Sequence, residues 1–321
     1  MNTTSRFENT GMSFDIIGDI HGHARSLERL LERLGYQPVD GVWQQEGRRV
    51  LFLGDYIDRG PHPRETLELV RAMVEAGHAK ALMGNHELNA VAYHTRNAQG
   101  EPLREHSEGN TRQHSATLNA FVGREDEWAG WIEWFKGLPF FIEEPELRAV
   151  HACWCERSIE HLRHRSLHNM EFLLLATERE TDECEALEML LKGPEVNISR
   201  FGFQIKADRL RDELRVKWWG YTAPSYLLAD ISIQPGVMVP EVRIEATELS
   251  GIPNLALGGK PVFFGHYGMD HNGPIVPVEE GICCLDYGLG KGGSLVAYRW
   301  DGEKVLDPSR FVVQSELPCT I

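Results

Sequence analysis

Apolar and polar positions in the first third of the chain follow a repeating pattern. A short apolar run is followed by a turn that contains glycine and then by a segment with helical spacing. The apolar runs cover residues 14–18, 49–53 and 79–83, and the helical segments follow at 27–34, at 67–74 and up to about 94. Apolar residues three and four positions apart share one face of a helix. Three such units in succession predict a βαβαβ start with parallel strands.

The rest of the chain predicts further strands and a long insertion. The apolar runs that predict these strands are 140–142, 147–150, 261–264, 281–286 and 294–300. The last run predicts a hairpin with residues 304–306, because Asp301 and Gly302 between them form a strong turn signal. Residues from about 152 to 260 begin with helical spacing and continue with little periodicity. We interpret 152–260 as an insertion that borders the site, within a single domain of residues 13–321.

Polar side chains stand directly after five of the predicted strands. They are Asp19 and His21, Asp55 and Asp58, Asn85 and His86, His151, and His266. Each has an ordinary structural explanation by itself, as a helix cap, a surface salt bridge or a satisfied core histidine. Their joint occurrence is poorly explained in that way, because ligands gather at the carboxyl ends of strands in open α/β sheets. We therefore predict that these side chains form one site.

The residue types at these positions suit metal binding and proton transfer. Asp19 and His21 are two positions apart, so their side chains point to the same side of an extended chain. A carboxylate and an imidazole together favour a borderline divalent cation. Asn85 offers a neutral oxygen to a metal, and the adjacent His86 offers a ring nitrogen that can carry a proton near neutral pH. The two residues can point in different directions from one turn.

In this order the motifs resemble those of the calcineurin-like metallophosphoesterases, and in particular their phosphoprotein-phosphatase branch. The motifs are Gly-Asp-Ile-His-Gly at 18–22, Gly-Asp-Tyr-Ile-Asp-Arg-Gly at 54–60, Gly-Asn-His-Glu at 84–87, Val-His-Ala at 150–152 and Gly-His at 265–266. The branch includes serine/threonine phosphatases and symmetrical diadenosine tetraphosphatases, and residues 286–297 are similar to the tetraphosphatase-like bacterial members. The resemblance implies an α/β fold, a sandwich of two mixed β-sheets flanked by helices, here with a largely helical insertion near the site.

The resemblance also implies a centre with two metal ions. The implied ligands are Asp19 and His21 for the first ion and Asn85, His151 and His266 for the second, with Asp55 as the bridge. We expect Mn²⁺, with Fe and Zn²⁺ as alternatives, because all three accept oxygen and nitrogen ligands. In this family a hydroxide that bridges the two metals attacks phosphorus in line, and no covalent nucleophile is needed.

Other residues receive roles from the same resemblance. His86 is the implied general acid, and Asp58 holds its ring in the useful tautomer. Arg59 is implied to grip a phosphate oxygen, since a guanidinium group binds phosphate bidentately. The branch usually has a second arginine, and we assign this role to Arg215, which lies in a basic and aromatic patch. We interpret Glu87 as an acidic residue that favours the start of its helix.

The expected function is hydrolysis of a phosphomonoester or phosphoprotein, and the alternative is hydrolysis of symmetrical diadenosine tetraphosphate. A nuclease is disfavoured, because Gly268 stands where nucleases of the wider superfamily tend to carry a second histidine. A metal-free scaffold is disfavoured, because all six implied ligands are present. Cys153, Trp154 and Tyr267 depart from the branch pattern beside two ligands, which bears on substrate shape more than on metal binding.

The composition limits the binding partners and the cellular compartment that we expect. The chain has 321 residues and a formal net charge of −15, which opposes binding to nucleic acids and anionic membranes. We expect a phosphorylated substrate instead: a phosphoprotein, a small phosphoester or a dinucleoside polyphosphate. No apolar run of about 18 residues predicts a membrane span, and the polar residues 1–12 predict a flexible leader. Six scattered cysteines without a Cys-x-x-Cys pair indicate reduced thiols and a cytoplasmic location.

Overall fold

The computed structural model describes residues 13–202, 204–206, 210–233, 238–239, 241–270 and 272–315, so the leader predicted at 1–12 lies outside the described residues. The strands, in chain order, are β1 (Ser13–Ile17), β2 (Gln37–Val39), β3 (Val42–Gln44), β4 (Arg48–Phe52), β5 (Ala79–Ala81), β6 (Phe141–Glu143), β7 (Arg148–Val150), β8 (Glu195–Asn197), β9 (Ile205–Lys206), β10 (Leu210–Arg211), β11 (Glu213–Arg215), β12 (Ser225–Leu227), β13 (Arg243–Glu245), β14 (Val262–Phe264), β15 (Ile282–Cys284), β16 (Asp286–Tyr287), β17 (Ser294–Trp300) and β18 (Phe311–Ser315). The α-helices are α1 (Ala24–Leu34), α2 (Pro63–Glu75), α3 (Asn85–His94), α4 (Glu108–Ala120), α5 (Glu125–Lys136), α6 (Glu156–Leu162), α7 (Met170–Thr177), α8 (Asp182–Lys192) and α9 (Leu228–Ile231). Short 3₁₀ helices cover Ser199–Phe201, Ala246–Leu249 and Pro308–Arg310.

The strands of the repeating pattern lie side by side in the first sheet. β1 pairs with β4, and β4 pairs with β5, in parallel in both cases. β17 is antiparallel to β1 on its other side, and β16 and β18 both pair with β17 in antiparallel fashion. The strand order is therefore β16–β17–β1–β4–β5, with β18 beside β17. This arrangement confirms the predicted βαβαβ start.

The second sheet has four strands in the order β15–β14–β7–β6. β14 is parallel to both β7 and β15, whereas β6 is antiparallel to β7. Both sheets are mixed, which confirms the predicted sandwich of two mixed sheets.

Alternate residues of the central strands face two different cores. Ile16 of β1 packs in a cluster that both sheets share, together with Leu51 and Phe263. The adjacent Ile17 packs in a larger cluster that contains helix residues such as Leu27. Ile16, Ile17, Leu27 and Leu51 are all completely buried. Because side chains alternate along a strand, one face of the sheet meets the other sheet and the opposite face meets the helices.

The insertion at 152–260 has two halves with different structures. Helices α6, α7 and α8 occupy the first half and pack into the larger core through residues such as Leu190. The second half consists mainly of two-stranded ribbons, which bury a separate cluster that includes Val196, Leu214 and Ile244. The helical prediction therefore describes the first half and not the ribbons. The single-domain boundary at 13–321 stays a prediction.

The predicted hairpin partner of β17 is wrong. β17 pairs with β18 rather than with residues 304–306. Glu303 explains the difference, because its carboxylate accepts hydrogen bonds from the Asp301 N–H at 2.8 Å and from the Tyr298 hydroxyl at 2.9 Å. These bonds hold a loop closed at the point where a tight hairpin was expected.

The apolar run 281–286 was predicted as one strand but serves both sheets. Its first part is β15 in the second sheet, and its last residue begins β16 in the first sheet. The change occurs at Leu285, which is 1% exposed and packs in the cluster between the sheets.

No helix among the described residues is both long enough and apolar enough to span a membrane.

Candidate active site

The candidate site is built from turns at the carboxyl ends of β1, β4, β5, β7 and β14. Backbone hydrogen bonds join the first two turns: the His21 N–H donates to the Asp55 carbonyl at 2.8 Å, and the Gly60 N–H donates to the His21 carbonyl at 2.9 Å. Five of the seven non-glycine residues with positive φ in the described part of the chain are here: His21, Asp55, Asp58, Arg59 and His266. Such backbone conformations cost roughly 1–3 kcal/mol each and concentrate at functional sites.

His21 presents an unused nitrogen to two carboxylates. Its Nδ1 lies 3.0 Å from the Ile57 carbonyl oxygen and must donate to it, so Nε2 of the neutral ring carries the lone pair. That Nε2 is buried and has no hydrogen-bond partner among the described residues. It lies 3.6 Å from Asp55 Oδ2 and 3.9 Å from Asp19 Oδ2. This is the arrangement of a neutral metal ligand between two anionic ones.

His151 faces two oxygens in a second group of donors. Its Nδ1 donates to the Leu53 carbonyl at 2.8 Å, which leaves the lone pair of the neutral ring on Nε2. Nε2 lies 3.1 Å from Asn85 Oδ1 and 3.5 Å from Asp55 Oδ1, and His266 Nδ1 lies 2.7 Å from the same Asn85 oxygen. Ligand atoms about 2.1 Å from one cation lie roughly 3 Å apart. The spacing of these atoms therefore fits a shared metal ion.

The electrostatics of the two groups match this chemistry. Burial, and then the charges of Asp286 and Asp55, raise the pKa of Asp19 well above its ordinary value. Burial, and then the charge of a nearby arginine, lower the pKa values of His21 and His266 well below the ordinary value. Among the described residues, the ion pairs of Asp19 and Asp55 are with histidines only. Buried carboxylates need compensating charge, so this cluster would bind cations favourably.

His86 occupies the side of the site towards α4. Its Nδ1 donates to Asp58 Oδ2 at 2.5 Å, and its Nε2 lies 3.9 Å from Asp55 Oδ2. Burial lowers the pKa of His86, but the Asp55 charge and the hydrogen bond to Asp58 outweigh burial and raise it overall. One donor group within 4.8 Å comprises His86, His21 and Asp55. By position alone, His86 can therefore either ligate a metal or carry a proton.

Glu87 does more than favour the start of α3. Its carboxylate is fully buried and accepts hydrogen bonds from the N–H groups of Asp55 at 2.9 Å, Tyr56 at 2.8 Å and Gly84 at 3.0 Å. Burial, and then the Asp55 charge, raise its pKa to about 8. Glu87 thus ties the turn after β4 to the turn after β5. Because Glu87 lies in the first turn of a helix, the sequence pattern does not indicate this contact.

Two glycines allow these turns to approach each other. A Cβ on Gly84 would lie 2.2 Å from Asp55 Oδ1, and a Cβ on Gly54 would lie 2.6 Å from the Gly84 nitrogen. Gly54 also has a φ of +102°, which other residues rarely adopt. Glycine is therefore needed at both positions, because the two turns lie too close together around the Asp55 carboxylate to leave room for a Cβ.

The charges of the two predicted phosphate-binding arginines act on different histidines of the site. Arg59 is exposed, and its charge lowers the pKa of His21. Arg215 is half-buried on β11, with its Nε 3.5 Å from Glu195 Oε1, and its charge lowers the pKa of His266. The charge of Lys192 also lowers the His266 pKa. Lys192 ends a charge-rich helix, so its place beside the site could not be read from the sequence.

The structure brings all eight predicted ligand and acid residues into one region. It adds His114 and Thr117, which contact Asp58 from α4. The three departures from the expected pattern, Cys153, Trp154 and Tyr267, are all buried in the larger core. These three side chains are therefore core residues that follow two of the predicted ligands in the chain.

Comparisons with known proteins agree with the geometry. A family model described as calcineurin-like phosphoesterase matches residues 12–198. PrpE of Halalkalibacterium halodurans, an asymmetrical bis(5'-nucleosyl)-tetraphosphatase, is 45% identical over 76 residues, which cover 23% of this chain and only 31% of that relative's length. A symmetrical bis(5'-nucleosyl)-tetraphosphatase of Vibrio campbellii is 22% identical over 309 residues, or 92% of this chain and 97% of that protein. A solved protein serine/threonine phosphatase from Saccharomyces cerevisiae shares the fold, with a TM-score of 0.52 and 11% identity over 98% of this chain and 82% of that one.

Proposed function

We propose that this chain, which belongs to the calcineurin-like phosphoesterase family, hydrolyses phosphomonoesters or phosphoproteins with the help of two metal ions. One observation carries the proposal: His151 Nε2 faces Asn85 Oδ1 at 3.1 Å and Asp55 Oδ1 at 3.5 Å. In the neutral ring all three atoms present lone pairs, so they repel one another unless a cation lies between them. The Nε2 of His21, which has no hydrogen-bond partner in the described part of the chain, supports a second cation on the other side of Asp55.

The chemistry of the donors favours particular metals. The proposed ligands are Asp19, His21 and Asp55 for one ion and Asp55, Asn85, His151 and His266 for the other. We propose Mn²⁺, with Fe and Zn²⁺ as alternatives, because the set mixes oxygen and nitrogen donors without a thiolate. When bound, such ions supply positive charge to the phosphate oxygens and make water at the site more acidic.

The residues around the proposed metals bind the phosphate and supply a proton. We assign His86 as general acid, because Asp19, His21 and Asp55 already provide ligands for the nearer ion. The bond from Nδ1 to Asp58 Oδ2 leaves His86 Nε2 to donate its proton to the leaving oxygen as the P–O bond breaks. Arg59 and Arg215 would hold the phosphate oxygens.

Hydrolysis of dinucleoside tetraphosphates is the second candidate. The Vibrio campbellii relative is named for this activity and is covered over 97% of its length. Arg104 adds a further cation on the Asp58 side, and its guanidinium is held by the neutral side-chain oxygens of Asn89 at 2.8 Å and Asn110 at 2.8 Å. Lys192, whose ammonium pairs with Glu188, adds another cation, and cations beyond Arg59 and Arg215 suit a substrate with several phosphate groups.

We propose a phosphorylated substrate as the partner, without a nucleic acid or membrane partner. The net charge of −15 opposes both of those surfaces. The five cysteines in the described part of the chain are free thiols, such as the buried Cys153. Reduced thiols are favoured in a cytoplasm, so we propose a cytoplasmic location.

A substrate panel with Mn²⁺ tests the proposal. Rates would be measured on a phosphoserine peptide, p-nitrophenyl phosphate and diadenosine tetraphosphate. His86→Ala should lower kcat by roughly 10²–10⁴-fold, the usual contribution of a general acid, and should retain its metal. His164→Ala, at an exposed histidine on the surface, is the matched control and should turn over like wild type. A His86→Ala enzyme with wild-type kcat would show the acid assignment to be wrong, and an enzyme inactive on the whole panel with Mn²⁺, Fe and Zn²⁺ would refute the function.

A further inference from the structure

The two oxygens of the Asp58 carboxylate have different partners. Oδ2 accepts from His86 Nδ1 at 2.5 Å. Oδ1 accepts from His114 Nδ1 at 2.8 Å and from the Thr117 hydroxyl at 2.6 Å. The Thr117 oxygen in turn accepts the Asp58 backbone N–H at 3.0 Å. All four residues are buried, so water does not compete for these bonds.

A second histidine fixes the ring of His114. Because His114 Nδ1 donates to Asp58, the neutral ring carries its lone pair on Nε2, which lies 3.3 Å from His94 Nε2. His94 therefore donates to His114 in the neutral pair. Burial, and then the charges of His114 and His106, lower the pKa of His94 to about 4, which favours this neutral form. His86, Asp58, His114 and His94 thus form a histidine–aspartate array. At its outer end, His94 lines a groove of about 860 Å³ between α4 and α5.

The local structure explains why Asp58 needs this support. Asp58 has a φ of 68°, a strained value for a residue other than glycine. The torsion that orients a carboxylate is broad, so one hydrogen bond to His86 does not fix its plane. His114 and Thr117 are three residues apart on α4 and share one helix face. Together they hold the carboxylate from the side opposite His86.

We propose that His114 is a positioning residue for the general acid: it holds Asp58 so that His86 Nε2 points at the leaving oxygen, with Thr117 as its second support. This inference rests on the proposed function. It predicts an effect that depends on the leaving group. Proton donation contributes more to the rate when the leaving oxygen is more basic. Loss of His114 should therefore matter little for p-nitrophenyl phosphate and much for phenyl phosphate, which lacks the nitro group and so has a more basic leaving oxygen.

The test compares His114→Leu with wild type on these two esters in Mn²⁺. We expect kcat on phenyl phosphate to fall by roughly 10–100-fold and kcat on p-nitrophenyl phosphate to fall by less than about threefold, with KM and metal content unchanged. His114→Asn should restore the phenyl phosphate rate, because its amide nitrogen can replace Nδ1. His106→Leu is the control: His106 stacks on Tyr93 at 3.6 Å between ring centroids and donates to the Tyr93 carbonyl, so it belongs to the same region without contacting Asp58.

The outcomes separate this inference from the proposed function. An equal fall on both esters, or no fall on phenyl phosphate, would overturn the positioning role and leave the phosphatase activity standing. Wild-type protein inactive on both esters and on the phosphoserine peptide would overturn the proposed function and the inference with it. If His114→Leu does not fold, Thr117→Val removes the other bond to the same oxygen and must show the same dependence on the leaving group, with a smaller amplitude, for the inference to stand.

Discussion

The ligand cluster (Asp19, His21, Asp55, Asn85, His151 and His266) and the histidine–aspartate array differ in how their polar atoms are satisfied. In the array, each atom of the Asp58 carboxylate receives a proton donor, at 2.5–2.8 Å. In the cluster, the nearest neighbours of His151 Nε2 are two oxygens, and His21 Nε2 has no partner among the described residues. Protein groups alone satisfy the Asp58 carboxylate in the array, whereas in our proposal cations would satisfy the facing lone pairs of the ligand cluster.

This difference also appears in the acid–base behaviour of two buried carboxylates. Burial would raise the pKa of Asp58, but the hydrogen bonds from His114 and His86 outweigh burial and lower it. Asp19 is equally buried, yet burial and the neighbouring acids raise its pKa well above the ordinary value. The protein therefore stabilises the Asp58 anion with its own donors, and under our proposal a metal ion would stabilise the Asp19 anion.

The largest expected effect comes from removing the charge that the two metal positions share. Asp55→Asn should lose metal and lower kcat/KM by more than the roughly 10–100-fold that is typical of residues behind a metal ligand. Asp40→Asn is a matched control, because Asp40 is also an aspartate with positive φ, at 50°, but is exposed in the turn between β2 and β3. Equal metal content in the two variants would contradict a bridging role for Asp55.

A smaller effect is expected when the two turns around Asp55 are pushed apart. In Gly84→Ala the new Cβ would lie 2.2 Å from Asp55 Oδ1, so we expect a loss of roughly 1–3 kcal/mol in the free energy of unfolding and weaker metal binding. Gly130→Ala in α5 is the control. Its Cβ meets nothing within 4 Å, so it should stabilise the helix by roughly 0.5–1 kcal/mol. Urea unfolding measures both, and a neutral Gly84→Ala would argue against close contact of the turns.

The smallest effect concerns the outer end of the array. The pKa of His94 is about 4 in the folded protein, below the ordinary histidine value of 6.5. Between these values the unfolded chain binds more protons, so the stability that His94 contributes is complete above about pH 6.5 and is lost as the pH falls towards 4. His94→Phe should flatten the dependence of Tm on pH in this window, whereas His164→Phe should retain it. An unchanged slope in His94→Phe would contradict a neutral His94 in the fold.

The pattern of apolar runs followed by polar turns predicted the three parallel strands, whereas the two mixed sheets were expected from the family resemblance. Asn85, His86 and the other residues after strands were found by this signal, and the structure brings them together. It places Asp58 against His86 at 2.5 Å. The roles of these residues as metal ligands and acid stay predictions.

Other features depend on contacts that local patterns do not encode. His114 is 56 residues from Asp58 and lies on an ordinary polar helix, so the residues around it in the sequence do not indicate its contact with Asp58. Glu87 had the sequence signature of a helix start, but its burial against the Asp55 turn depends on the tertiary packing of two strands. Similarly, Asp301 and Gly302 signal a tight turn, yet the contacts of Glu303 close a wider loop there.

The metal content of the protein after equilibrium dialysis against Mn²⁺, determined by elemental analysis, decides whether the ligand cluster binds two ions. The facing lone pairs of the ligand cluster predict two tightly held ions per chain in wild type and in Asp40→Asn, and fewer in Asp55→Asn. Wild-type protein that hydrolyses phosphoesters while holding one ion or none per chain would contradict the account.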